Sequence, residues 1–245
     1  MQIPKKISPD QIKNSIVEIK YTTGIPFEIL LGNIFDALDD TFKYTNRPAP
    51  FGNNQIIDGS FQIGLGGQNL FYTDTLKLEL RPNSLIFNCL SHYAGWSNYM
   101  AEIKKALSQI MKIKKIDSIF RIGLRYINEY PDMDIQNCTK FNFTFGIPAI
   151  QSETYQFRTE FILDNYKVIL NLQNKTPLIN PPSNGVISGI KQISIVDIDV
   201  IAENLAITAL DMLFAEIENI HNKEKEIFFN IIKEEYLQTL NAIYE

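Results

Sequence analysis

The sequence predicts an α+β protein with predominantly antiparallel sheets, helices packed outside them and a long C-terminal helix. Short strand-like runs separated by turn residues fill the middle of the chain, and Leu76–Leu80 alternates apolar and polar residues as a half-buried antiparallel strand does. Phe27–Phe42 and Trp96–Met111 instead repeat apolar residues at helical spacing. Few strand–helix–strand units recur at regular spacing, so a doubly wound parallel sheet is not expected.

The remaining elements follow from the same periodicities. Strands are predicted over Ser15–Thr23, Ser60–Leu65, Asn69–Thr73, Thr75–Arg81, Ser84–Cys89, Ser118–Tyr130, Lys140–Ile147, Glu153–Leu163, Tyr166–Gln173 and Lys191–Val200. The proline- and asparagine-rich segment from Lys43 to Gly59 is predicted to be a surface loop or a mobile flap, and Asn174 to Gly189 a long crossing loop. From Ala202 the chain is expected to be helical, with an interruption at His221-Asn222 that either caps a second helix or bends one continuous helix.

The domain boundary is predicted in the acidic, turn-rich segment Pro131–Thr139. It separates an N-terminal α+β half, residues 1–130, from a C-terminal β-rich half, residues 140–245, that ends in the long helical segment. Both halves are expected to belong to one compact domain. The element order allows two related half-units that share a sheet, although no sequence repeat supports that interpretation.

Composition and charge exclude several classes of protein. With 45% hydrophobic and 21% charged residues the chain is not intrinsically disordered. The net charge of −5 argues against bulk nucleic-acid binding, although a local basic patch stays open. Cys89 and Cys138 form no Cys-x-x-Cys pair, which favours two reduced thiols in a cytoplasmic protein. The chain shows no signal peptide and no apolar run long enough to span a membrane.

The most specific local pattern is the predicted strand Phe120–Tyr130, because two of the chain's five arginines, Arg121 and Arg125, fall on one face of it. Their guanidiniums would lie about 13 Å apart along the strand, with Gly123 between them. Arginine makes planar, forked contacts, so the pair predicts an anion or partner-binding site, with Arg158 as a further candidate. The alternative is structural pairing of each arginine with a carboxylate on a neighbouring strand.

Three carboxylates, Glu18, Asp197 and Asp199, form a candidate acidic cluster. Asp197 and Asp199 share a strand face about 7 Å apart, a spacing that a divalent cation could bridge. A third oxygen ligand in a recognisable context is missing, so no metal site is predicted. A solvated face, or salt bridges to the arginine strand, is the expected role. Glu18-Ile19-Lys20 is similar to the Glu/Lys strands of tunnel-shaped triphosphate hydrolases, but Ile16 stands where a second glutamate is needed.

No motif for nucleophilic catalysis accompanies either histidine, so His92 and His221 are expected to be structural, the catalytic residues stay unknown and no cofactor is expected. The apolar stripe of the C-terminal helical segment must be buried, either on the sheet or on another copy of the chain. The sequence therefore favours a non-enzymatic cytoplasmic interaction or sensor protein that forms a homo-oligomer through this segment. A nucleotide- or small-anion-binding protein, or a phosphoesterase, that uses the arginine face is the alternative.

Several markers resemble an uncharacterised, sporadically distributed bacterial family of proteins of about this length. They are Ile12-Lys13-x-x-Ile16-x-Glu18-Ile19, Tyr93-x-x-Trp96, Arg121-Ile-Gly-Leu-Arg-Tyr-Ile-Asn128, Asp197-Ile-Asp199, and His221 followed seven residues later by Phe228. The family's phenylalanine–glutamate is Phe228-Phe229 here. The resemblance implies no reaction. The patchy distribution implies phage defence, as an antitoxin or accessory subunit with a partner protein encoded nearby.

Overall fold

A computed structural model describes residues 3–4, 7–8, 10–47, 56–57, 60–61, 68–90, 93–131, 133–143, 154–178 and 191–244. Its helices are α1 (Phe27–Leu38), α2 (Trp96–Lys112), α3 (Ile135–Cys138), α4 (Leu210–Ile231) and α5 (Glu234–Thr239). Its strands are β1 (Ile12–Thr22), β2 (Lys43–Arg47), β3 (Ile56–Ile57), β4 (Ser60–Phe61), β5 (Gln68–Tyr72), β6 (Leu76–Arg81), β7 (Ser84–Cys89), β8 (Ser118–Pro131), β9 (Tyr155–Leu163), β10 (Tyr166–Leu178) and β11 (Lys191–Ala202).

The described strands form a nine-stranded antiparallel sheet in the order β2-β5-β6-β7-β1-β8-β11-β10-β9, and β3 and β4 pair as a separate ribbon. With five helices in the same described residues, this confirms the predicted α+β class and its long C-terminal helix. The sheet places β2 and β9 at its edges, and sequence neighbours such as β6 and β7 pair directly because a two-residue turn joins them.

The chain divides into two compact units. Unit 1 comprises Met1–Ser15, Gly123–Glu203 and Ala215–Glu245, and unit 2 comprises Ile16–Ile122 and Asn204–Phe214. The division falls within β8, and each unit contains segments from both parts of the chain. The predicted boundary in Pro131–Thr139 stays a prediction.

Unit 2 owes its return segment 204–214 to backbone pairing. The amide of Ile119 donates to the carbonyl of Ile207 at 2.8 Å, and the reverse bond measures 3.1 Å. Residues 203–209 consequently form no helix, and α4 begins at Leu210 instead of the predicted Ala202. The predicted helix therefore begins too early. The apolar pattern alone does not show that the residues before Leu210 pair with the backbone of β8.

Two helices cover one sheet face of unit 2. α1 begins directly after Pro26, whose fixed φ and missing N–H suit a helix start, and buries Leu30, Ile34 and Leu38 at helical spacing. The ring of Phe35 on α1 packs edge-on against Tyr44 of β2 at 5.4 Å. The α2 helix buries a similar stripe and is tied to β7 by the hydroxyl of Tyr99, which donates to the carbonyl of Phe87 at 2.9 Å.

In unit 1 the α4 helix provides the apolar stripe that the sequence predicted. Ile217, Ile220, Ile227 and Phe228 are buried at helical spacing. The helix runs without a break through His221-Asn222, so of the two alternatives one continuous helix is observed, and a second helix capped by Asn222 is not. Neither residue breaks a helix of this length, since only proline or glycine would cost enough to end it.

A buried polar network anchors α3 to the β10–β11 pair. The side-chain oxygen of Asn174 accepts a hydrogen bond from the amide of Ile135 at 2.8 Å. The hydroxyl of Ser194 donates to the carbonyl of Met133 and accepts from the amide of Lys175. The register shifts between Gln173 and Thr176, where Lys175 adopts a left-handed φ of 47°. The network satisfies polar groups that the irregularity would otherwise leave buried and unpaired.

Two loop predictions need correction. Lys43–Arg47, predicted as part of a loop or flap, forms β2 and pairs with β5 because its alternating side chains can extend the sheet. Residues 174–178, predicted as the start of the crossing loop, extend β10 along β11. The loop predictions for residues 48–55, 58–59 and 179–190 lie outside the described residues.

One strand prediction is also wrong. Residues 140–143, predicted as the start of a strand, form none, because the amide of Lys140 donates to the carbonyl of Ile231 at the end of α4. The rest of that predicted strand lies outside the described residues, as do 62–65 of the strand predicted after Gly59. No helix within the described part of the chain has both the length and the apolar character needed to cross a bilayer.

Candidate functional site

The arginine strand forms as predicted. Along β8 the side chains of Ile122, Leu124 and Tyr126 are buried, whereas Arg121 and Arg125 on the alternate positions are only partly buried. The two guanidiniums therefore lie on the same face of one strand, as the spacing indicated. Arg121 belongs to unit 2 and Arg125 to unit 1, and each is described with its own neighbours.

Both guanidiniums are engaged by carboxylates. In unit 2, Arg121 Nη1 makes an ion pair with Glu18 Oε2 on β1. In unit 1, Arg125 forms a two-pronged pair with Asp197 on β11, at 2.8 Å from Nε to Oδ1 and 2.7 Å from Nη2 to Oδ2. The hydrogen bond to Asp197 raises the pKa of Arg125 further. This is the structural pairing that the sequence left open as the alternative to anion binding.

Arg158 on β9 is similarly engaged. Its Nη2 donates to Glu160 two residues along the strand at 2.7 Å, and Lys167 of β10 approaches the other oxygen of Glu160 at 3.0 Å. Hydrogen bonds from Lys167 and Arg158 lower the pKa of the Glu160 carboxyl. All three side chains are substantially exposed, so this cluster contributes little to stability.

The three carboxylates predicted as an acidic cluster do different things. Glu18 pairs within unit 2, and Asp197, only 8% exposed at its side chain, is held by Arg125 in unit 1. Asp199 stands opposite Ile169 in the β10–β11 register, two residues from Asp197. Among the residues that the structure describes, no group of three or more His, Cys, Asp or Glu side chains is arranged to hold a metal ion.

A buried group of titratable side chains in unit 1 was missed by the sequence reasoning. His221 and Glu224 lie one turn apart on the buried side of α4, at 7% and 4% exposure. The Tyr126 hydroxyl is 3.2 Å from His221 Nδ1. The Tyr130 hydroxyl, next along β8 on the same face, is buried and has no hydrogen-bond partner in the described structure. Glu224 lies eleven residues, or about three helical turns, after Leu213 and therefore falls on the apolar stripe of α4. This position is the feature of the sequence that could have identified Glu224 as buried.

Burial displaces the pKa values of this group. Desolvation raises the pKa of Glu224 to about 8, although Lys225 opposes the rise, and it lowers the pKa of His221 to about 3. Desolvation also raises the pKa of Tyr130, helped by the nearby Tyr236, Asp10, Glu224 and Cys138. At neutral pH the group is therefore an uncharged carboxylic acid beside an uncharged imidazole. This agrees with the expectation that His221 is structural, whereas His92 lies outside the described residues.

A surface cleft of about 550 Å³ in unit 1 contains several polar side chains. It is lined by Ile3, Tyr166, Asn219, Asn222, Lys223, Lys225 and Glu226. Lys223 is already paired inside the cleft with Glu226 at 2.6 Å and also with Asp164 at 2.7 Å. One of the two lysines of the cleft is thus neutralised by neighbouring carboxylates.

Both cysteines are free thiols, as expected. Burial raises the pKa of Cys89 to about 11, and it also raises the pKa of Cys138. Because the thiolate is the nucleophile, these values favour inert thiols over catalytic ones.

Comparison with protein-family models and with curated proteins finds no match for this chain.

Proposed function

We propose that this protein is a non-enzymatic interaction subunit that forms a homodimer through its edge strand β9. The observation that carries the proposal is the self-complementary order of side chains along that strand. We further propose, from the family resemblance alone, that the subunit acts in bacterial phage defence as an antitoxin or accessory subunit.

The β9 strand lies at one edge of the described sheet, where it pairs with β10. The side of an edge strand that faces away from its neighbour is the side on which a further strand can add. Two large apolar side chains near its end are exposed, Phe161 at 38% and Ile162 at 70%. An exposed edge with apolar side chains is a template for strand addition.

The five central residues of β9, Phe157–Phe161, form a palindrome with inverted charge about Thr159. In antiparallel pairing of two copies around this residue, Arg158 stands opposite Glu160 of the second copy, and Phe157 stands opposite Phe161. The two-fold axis repeats each pair. Opposite charges and aromatic residues on facing strands both stabilise a sheet. This register is the argument for a second copy as the occupant of the edge.

The C-terminal helix is a weaker candidate for the contact. The sequence placed homo-oligomer contacts on its apolar stripe because the stripe has to be buried somewhere. Ile217 and Ile220 on α4 are fully buried within the chain itself. The homodimer stays a prediction, but a second copy of the chain is not needed to bury the apolar stripe of α4.

The side chains considered for catalysis or anion binding have structural contacts. The guanidiniums of Arg121 and Arg125 are matched by carboxylates, and His221 and Glu224 lie in the interior of unit 1. This supports the non-enzymatic interpretation over the alternative of a nucleotide-binding protein or phosphoesterase that uses the arginine face.

Disulfide cross-linking tests the register directly. A Thr159→Cys variant would place two sulfurs across the two-fold axis, where facing Cα atoms are about 4.5–5.5 Å apart, within disulfide range. Gln156→Cys is the matched control, because two such residues would lie about 20 Å apart along the strands. We expect oxidation to give a covalent dimer for the first variant only, against the background of Cys89 and Cys138.

Light scattering after size-exclusion chromatography tests the dimer itself. Arg158→Glu or Glu160→Arg alone would set like charges opposite each other and weaken the dimer by about tenfold, whereas the double exchange should largely restore it. A protein that remains monomeric at all concentrations, or cross-links equally through residues 156 and 159, contradicts the proposal.

The defence role needs a separate experiment. Co-expression with the product of each neighbouring gene should yield a complex that co-elutes, and should relieve toxicity if that product is a toxin. Neighbours that neither co-elute nor change in toxicity count against an antitoxin or accessory role without affecting the dimer.

A further inference from the structure

The second face of the sheet in unit 2 carries an unusual density of positive charge. The registers place side chains of β1, β7, β6, β5 and β2 on this face in three rows across the strands. The first row is Lys20–Ser84–Arg81. Gln68 and Arg47, which pair with each other on β5 and β2, lie at the same end of the face as this row. The second is Glu18–Ile86–Glu79–Leu70–Thr45, and the third is Ile16–Asn88–Lys77–Tyr72–Lys43.

This face is opposite the helices. Tyr44 and Phe71, which alternate with the residues of the three rows, pack against each other at 5.0 Å, and Phe35 of α1 packs on Tyr44. Successive side chains of a strand point to opposite faces, so α1 lies on one face and the three rows lie on the other.

The rows bring cations together. With Arg121, whose ion pair to Glu18 places it on the same side, the face holds six cationic side chains against two carboxylates. The cations are Lys20, Lys43, Arg47, Lys77, Arg81 and Arg121. We refer to these six residues as the basic face. The basic face is positive although the net charge of the chain is −5. It is a local basic patch of the kind that the net charge does not exclude.

Among the described residues, four of the six cations are unpaired, and two of these four are exposed. In the part of the chain that the structure describes, Lys20, Lys43, Arg47 and Lys77 make no ion pair, and Lys43 and Arg47 are exposed. Glu18 is paired with Arg121, and Glu79 is buried and bound to Arg81 at 2.7 Å. Four lysine and arginine side chains are thus available for an external anion.

We propose that the basic face binds single-stranded nucleic acid through its phosphates. A polyanion is the partner that this charge selects, because each cation that meets a phosphate releases condensed counterions. Arg47 adds a forked donor that matches phosphate oxygens. This inference does not depend on the homodimer, since every residue involved belongs to unit 2.

The shape of the face favours a single strand over a duplex. Five strands spaced about 4.8 Å apart span about 19 Å, whereas the major groove of B-DNA is about 12 Å wide and admits only a helix or a two-stranded ribbon. An extended strand can run along the first or the third row, where the cations lie, whereas Leu70 and Glu79 of the second row are buried. The half-buried ring of Tyr72 lies among the cations, with Arg47 Cζ 6.0 Å from its centroid, and such a ring is a surface on which a base can stack.

Fluorescence anisotropy with labelled oligouridylate and oligothymidylate tests the proposal on the full chain. With about four phosphate contacts, the logarithm of the binding constant should fall with the logarithm of salt at a slope of about −3. A variant with Lys20→Gln, Lys43→Gln and Lys77→Gln should bind about a hundredfold more weakly at 0.1 M salt, because three contacts are lost at about 0.7 decade each.

The matched control replaces three exposed lysines outside the basic face, Lys105, Lys112 and Lys115, by glutamine. It has the same net charge as the first variant and should bind as the wild type does. Thermal melts followed by circular dichroism should show that both variants are folded, since all six lysines lie at least partly exposed on the surface.

Four outcomes overturn the proposal. They are no binding at low salt, equal loss of binding in both variants, duplex DNA binding as tightly as the single strands, and displacement of the oligonucleotide by polyglutamate at equal charge. The last would assign the basic face to an acidic protein segment instead.

Discussion

His221 and Glu224 lie one turn apart on the buried side of α4, and burial displaces their pKa values in opposite directions. The groups that face them are Tyr126 and Tyr130 on β8, with Tyr236 of α5 packed on Tyr130 at 6.2 Å. The free energy of unfolding should therefore depend on pH, with Glu224 responsible for the loss of stability at alkaline pH and His221 for the loss at acid pH.

The sign follows from which state binds more protons. Glu224 keeps its proton up to about pH 8 when folded but only to about 4.5 when unfolded, so stability falls as pH rises between these values. His221 gains a proton only near pH 3 when folded but near 6.5 when unfolded, so stability rises from pH 3 to 6.5. The two effects cancel between about pH 4.5 and 6.5.

The magnitude follows from the ranges in which one group titrates alone. From pH 6.5 to 8 only Glu224 changes, and at about 1.4 kcal/mol for each pH unit the protein loses about 2 kcal/mol. From pH 4.5 down to 3 only His221 changes, with a loss of similar size. The expected curve is a plateau with a falling limb on either side.

Urea unfolding followed by circular dichroism at a series of pH values measures this curve. Glu224→Gln keeps the shape of the side chain without its titration, so it should remove the alkaline limb and let stability rise without compensation from pH 3 to 6.5. His221→Gln should remove the acid limb instead. A wild-type curve that is flat from pH 6.5 to 8, or an alkaline limb that persists in Glu224→Gln, would refute the reasoning.

Three further variants test other contacts by the same unfolding measurement. Tyr130→Phe removes a buried hydroxyl without a partner and should leave stability unchanged or raise it by about 1 kcal/mol, whereas Tyr126→Phe removes a bonded one and should lower stability by a similar amount; equal effects would contradict this. Arg125→Met leaves the buried Asp197 carboxylate uncompensated and should cost about 1–3 kcal/mol, and no loss would argue for a ligand-binding arginine. Ile217→Ala should cost about 2–5 kcal/mol while the oligomeric state stays the same, and a change in that state would return the dimer contact to α4.

The candidate site was predictable only in part. The alternation around Arg121 and Arg125 shows from sequence that both side chains share a face, because strand geometry is local. Which carboxylate meets each of them was not predictable, since Arg125 and Asp197 are 72 residues apart and their pairing depends on strand order. Glu224 was overlooked because a glutamate is usually exposed, and only its place on the apolar stripe marks it as buried.

The basic face shows the same limit more strongly. Lys20, Lys43 and Lys77 belong to three separate strands, and nothing in their spacing along the chain relates them. Antiparallel pairing in a particular register brings them to one side of the sheet.

The amino-acid sequence by itself determined the α+β class, most strands and helices and the two-faced character of β8, because these depend on periodicity over a few residues. The tertiary structure alone decided that residues 204–214 return to β8, that β9 lies at an edge, and which charges become neighbours. Strand order and register are set by the joint burial of apolar surface from distant segments, and no local pattern encodes that.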